Sequence, residues 1–119
     1  MAIAAVTLMA TAGNAAAGEP PPGINWDHTL TAEGVRVYVE EHGDIISVCD
    51  AKANGRAAWV QVFVGESAAY EMTVTEGAGS CETRRASDGG KYNLREVSIL
   101  LFFDGNGGER NWHNFSNNH

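Results

Sequence analysis

The densest set of oxygen and glycine residues in the chain is Asp104-Gly105-Asn106-Gly107-Gly108-Glu109, which at first sight resembles a calcium loop. An EF-hand loop needs ligands at positions 1, 3 and 5, glycine at 6 and glutamate at 12. Counted from Asp104, those last three places hold Gly108, Glu109 and Phe115, so the segment reads as a hairpin turn. His42, Asp44 and Asp50 form a second group. A histidine beside a carboxylate can act as a general base or a metal ligand pair, yet the same residues also make an ordinary solvated turn, which this pattern fits better. His28 and His113 have no carboxylate at a helical spacing that suggests zinc, and the chain contains neither HExxH nor GxSxG. Ser47, Ser80, Ser87 and Ser98 lack a nucleophile signature. No catalytic residue, metal site or cofactor is therefore expected.

The aromatic residues are more suggestive. Trp59 and Phe63 alternate with Gln61 on one face of a single strand pattern. Flat rings with a polar neighbour suit a platform for a glycan or a protein, although the same face could pack against a second sheet. Arg84-Arg85, the only adjacent cationic pair, could clamp an acidic partner or stand as a solvated loop pair. Trp59, Gln61, Phe63, Arg84 and Arg85 make up the candidate binding surface. Trp26 and Trp112, near the two ends of the mature chain, could cover open edges of the core.

Strands must position these groups. Val35, Val37 and Val39 alternate with Arg36, Tyr38 and Glu40, Glu41-His42-Gly43-Asp44 turns, and Ile45-Ile46-Ser47-Val48-Cys49 returns, which predicts a β-hairpin over residues 35 to 50. Asn54-Gly55 is the strongest turn signal. Ala58, Val60, Val62 and Val64 alternate with residues that are themselves largely apolar, so this strand is expected to be central. Tyr70 to Glu76, Val97 to Phe103 and Glu109 to Phe115 read as further strands. Ser67 to Tyr70 and Tyr92 to Val97 are the only helix candidates, about one turn each. Short strands about 8–12 residues apart with glycine-rich turns predict a small antiparallel, Greek-key-like β-sandwich of five to seven strands. The Cys49–Trp59 spacing resembles that of an immunoglobulin domain, but Cys81 follows too early for that topology.

Met1 to Ala17 contains no charged side chain and runs from an apolar stretch into Ala15-Ala16-Ala17, the pattern of a cleavable signal peptide. It falls short of the roughly 20 apolar residues of a membrane anchor. Residues 18–33, opening with Gly18-Glu19-Pro20-Pro21-Pro22-Gly23, read as a stiff, solvated leader, and residues 34–119 as one domain. Export would place Cys49 and Cys81 in an oxidising compartment, where two cysteines allow one pairing. The net charge of −7 lies outside the uncharged Met1–Ala17 segment and argues against nucleic acid or an anionic membrane as partner.

Two blocks carry a family likeness. Gly43-Asp44-Ile45-Ile46-Ser47-Val48-Cys49-Asp50, continuing through Asn54-Gly55 to Val62, and Cys81 through Ala86-Ser87-Asp88-Gly89-Gly90-Lys91-Tyr92-Asn93-Leu94 resemble a group of small secreted proteins of actinomycetes, chiefly streptomycetes. The likeness covers residues 34 to 104. Members of the group often carry further cysteines in the last strands, where this chain has Phe102-Phe103 and Trp112. The resemblance implies export and fold, and no activity. The sequence thus points to a secreted, monomeric, non-enzymatic binding domain for an unidentified extracellular protein or glycan. An inhibitor of an exported hydrolase, acting through a disulfide-pinned Glu82–Lys91 loop, is the second reading, and a small hydrolase built on His42 and Asp44 the third.

Overall fold

The computed structural model describes residues 18–108 and 110–118, so the signal-peptide assignment to residues 1–17 lies outside the described residues. Eight strands form: β1 (His28–Ala32), β2 (Val35–Glu40), β3 (Ile45–Asp50), β4 (Trp59–Val64), β5 (Ser67–Thr73), β6 (Cys81–Arg84), β7 (Ser98–Asp104) and β8 (Asn111–Ser116). They make two antiparallel four-stranded sheets, in the orders β1-β2-β3-β6 and β5-β4-β7-β8. The chain crosses between sheets after β3, β5 and β6, so β3 lies beside β6 and β4 beside β7. The fold is the expected all-β sandwich, with β1 added at one edge.

Alternation drives this arrangement. Val35, Val37 and Val39 of β2 face Val48 and Ile46 of β3 on one inner surface, and all five are buried. Val60, Val62 and Val64 of β4 meet Ile99, Leu101 and Phe103 of β7 on the other. Each such side chain is stabilised by about 1.5–3 kcal/mol on leaving water. Both expected helical turns at Ser67 and after Tyr92 give way. Gly65-Glu66 closes a two-residue turn with Gly65 at φ 61°, so Ser67 pairs directly with Val64 as β5 begins. The short 3-10 turns that do form are Ala86–Asp88 and Gly90–Tyr92.

Residues 18–33 are not a solvated leader. Residues 28–32 form β1, an edge strand whose inward apolar residues, Leu30 and the small, partly buried Ala32, give little alternating signal. The part before it lies as a strap across the outer face of the first sheet. Tyr38 OH donates to the Gly18 carbonyl, Trp26 packs on Tyr38 at 5.7 Å between ring centroids, and the Asp27 N–H bonds the Val39 carbonyl at 2.7 Å. Proline's fixed φ suits a segment that must run extended over a sheet while donating no hydrogen bond.

Cys49 and Cys81 are bonded, 32 residues apart. They sit directly opposite each other on β3 and β6, so the bond joins neighbours within one sheet and does not tie the two layers together. This also separates the chain from the immunoglobulin pattern, where the disulfide spans the sheets. Closing a loop of this length removes unfolded-state freedom worth about 3–4 kcal/mol. The Glu19 carbonyl oxygen of the strap lies 3.5 Å and 3.4 Å from the two sulfurs.

The layers come into backbone contact where the β1–β2 turn touches the β7–β8 loop. A Cβ on Gly105 would fall 2.4 Å from the Gly34 carbonyl carbon and oxygen, and one on Gly34 would fall 2.2 Å from the Gly105 oxygen. Backbone against backbone cannot yield as a side-chain tip can. Gly105→Ala is expected to lower unfolding stability by about 1–3 kcal/mol, read as a shift in urea midpoint. Elsewhere in the core, the Tyr70 hydroxyl is buried without a hydrogen-bond partner among the described residues. Burial, with Asp44 adding, pushes the phenol above its ordinary value of 10. The unfolded chain then releases this proton first, so stability holds below pH 10 and declines as pH rises beyond it. Tyr70→Phe should leave stability at neutral pH intact and reduce the alkaline decline, measured by urea melts across that range.

Candidate functional site

The inward valines of β4 leave Trp59, Gln61 and Phe63 on the outer face of the second sheet, each half-exposed. The platform and core alternatives left open by the sequence resolve to an outward placement. Strand register then sets their neighbours. Gln61 pairs with Glu71 of β5 and Phe102 of β7, and Phe102 pairs with Trp112 of β8, giving one row of four residues across the sheet. Phe63, Leu100 and Asn114 form the next row. Trp112 is 64% exposed, the one large apolar side chain so open among the described residues.

The face is locked together laterally. Phe63 and Phe102 meet edge to face at 5.6 Å between centroids. The Arg110 guanidinium lies 4.0 Å above the Phe102 ring, a cation–π stack. Arg110 Nη2 donates to Gln61 Oε1 at 3.0 Å, and Gln61 Nε2 donates to Glu71 Oε1 at 3.1 Å. A polar chain thereby crosses an aromatic face, with its donors and acceptors oriented before any ligand arrives. Beside Trp59 the face falls into an open groove of about 590 Å³, lined by Arg56, Gln61, Gly107, Gly108 and Arg110 as well.

Arg84 and Arg85 are not part of this face. Arg84 ends β6 in the first sheet, in register with Ile46, and its guanidinium lies 5.7 Å from the centre of the Tyr92 ring. Its charged form is favoured first by the Tyr92 hydroxyl. Arg85 is exposed at the start of the 3-10 turn, and its N–H bonds Asp88 Oδ2 at 2.9 Å. The cation that does join the aromatics is Arg110, with Phe102 and Trp112 completing the surface. The Glu82–Lys91 segment, considered as an inhibitory loop, winds into two 3-10 turns after β6.

The carboxylates near the first hairpin serve the fold. Asp44 is buried at φ 52°; its Oδ2 accepts the Leu94 N–H at 2.8 Å and its Oδ1 the Asn117 amide at 3.1 Å. Asp50 is buried and accepts the Lys52 N–H at 3.1 Å. His42 points the other way, with 79% of its side chain exposed and Nδ1 3.4 Å from Glu40. Asp27, Glu40 and His42 bring ligand atoms within 4.8 Å of one another. Both Glu40 oxygens already accept backbone N–H groups, from His42 and Gly43, and Asp27 accepts that of Glu41. His28, in turn, stands 2.5 Å from Glu41 and packs on Phe115.

The Asp104 loop behaves as a turn. Asp104 is buried, and its two oxygens accept the N–H groups of Asn106 and Gly108 at 3.1 and 2.8 Å. No family model matches the chain, and no curated protein matches it. Because Asp44 anchors Leu94 and Asn117, Asp44→Ala should cost roughly 1–3 kcal/mol by stranding two buried donors. His42→Ala, at the surface, should change stability by less than about 0.5 kcal/mol; chemical denaturation of both variants compares them directly.

Proposed function

We propose that this chain is a small exported, non-enzymatic binding module that holds a glycan on the open face of its second sheet. The observation behind the reading is the contrast between the two outer faces. The strap from Gly18 to Asp27 covers the first, whereas the aromatic face of the second carries no covering segment among the described residues. Exposed apolar surface of this kind is costly to keep in water unless something uses it.

Size favours a glycan over a protein. Strands of six or seven residues, at about 3.3 Å per residue and about 4.8 Å apart, make a four-stranded face of roughly 20 by 15 Å, or about 300 Å². A stable protein interface takes about 800 Å² from each partner. Rings set among Gln61, Glu71 and Asn114 match the alternating apolar and hydroxyl-bearing surfaces of sugars. The signal-like Met1–Ala17 segment and the Cys49–Cys81 bond support export, and no helix among the described residues is long and apolar enough to cross a membrane.

Affinity electrophoresis and co-sedimentation with a panel of soluble and insoluble polysaccharides test the reading. Trp59→Ala and Trp112→Ala are each expected to weaken retention by about 1 kcal/mol, roughly fivefold, with the circular-dichroism spectrum unchanged. Failure of the wild-type protein to bind any glycan of the panel, even at about millimolar concentration, would overturn it.

A further inference from the structure

The groove beside Trp59 holds two guanidinium groups. Arg56 lies flat along the β7–β8 loop, so close that a Cβ on Gly107 would stand 2.8 Å from its Nε. Arg110 lines the same groove, stacked on Phe102 and bonded to Gln61. Neither forms an ion pair among the described residues. Asp104, the one carboxylate among the described residues that line the groove, has both oxygens engaged by backbone N–H groups of its own loop. Two like charges facing one concavity repel each other, and an anion between them relieves that repulsion with charge-assisted hydrogen bonds.

The remainder of the molecule limits how much negative charge a ligand can carry. The net charge is −7, and Glu71 stands in the aromatic row itself. At physiological salt, charges are screened beyond about 8 Å, so the arginine pair acts within the groove while Glu71 confronts whatever lies along the face. A polyanion running along the face meets repulsion at Glu71. An uncharged chain bearing one acidic branch does not.

We infer that the Arg56–Trp59–Arg110 groove recognises a single acidic sugar, a uronate branch on an otherwise neutral glycan, with its ring against Trp59 and its carboxylate between the two guanidiniums. The inference rests on the glycan-binding reading and specifies its ligand. Isothermal titration with a neutral xylo-oligosaccharide, the same oligosaccharide carrying one glucuronate branch, and oligogalacturonate separates the cases. The branched ligand is expected to bind about tenfold more tightly than the neutral one, and the preference should shrink as salt is raised. Arg56→Gln, which leaves the Phe102 stack in place, should reduce the preference to below about twofold. Equal affinity for branched and neutral ligands overturns the inference and leaves the glycan reading standing. Tightest binding of oligogalacturonate also overturns it, in favour of a polyanion. Absence of binding to all three, with no glycan retained in the polysaccharide panel, removes the underlying reading itself.

Discussion

Side chains of a β-strand can face only two ways, and in this protein the inward choice is made by valine. Val60, Val62 and Val64 on β4 and Ile99, Leu101 and Phe103 on β7 fill the space between the sheets. A slip of one residue in β4 would push Gln61 into the core and bring three buried side chains into water. That penalty holds the register, and the register holds everything on the other side. Trp59, Phe63, Phe102 and Trp112 are neighbours because their inward counterparts are. The outer face inherits its geometry from a core it never touches.

The parts of this arrangement governed by local alternation could be read directly. The β2–β3 hairpin, the central β4 and the apolar β7 each show a two-residue period in the residues themselves, and with two cysteines one pairing was possible. What could not be read depends on contacts between distant segments. β1 has only Leu30 and the small Ala32 facing inward and is recruited by pairing with β2. The proline-rich strap looks like a solvated linker until Tyr38 and Trp26 give it a surface to lie on. Arg84-Arg85 stood out because the two are adjacent in sequence, whereas Arg110 is isolated there and joins Phe102 and Gln61 only through strand pairing. Trp59 and Phe63 were legible as a pair on one face; whether that face looked inward or outward required the second sheet.

Residues that invited a chemical reading turn out to hold the structure. Asp44 joins the β2–β3 turn to Leu94 and to Asn117 beyond β8, linking elements of both sheets through one carboxylate. Asp104 closes its own loop, and that loop carries Gly105 into contact with Gly34. Together these polar and backbone contacts fasten the two ends of the sandwich, a task the disulfide, confined to one sheet, does not perform.

The strap gives the molecule a consequence for how it can be used. With one broad side covered by the strap, the aromatic face is left open on the other side alone among the described residues. If that face holds a glycan as proposed, a single copy coats the polymer and does not bridge two strands of it, and cross-linking would require a second copy joined back to back.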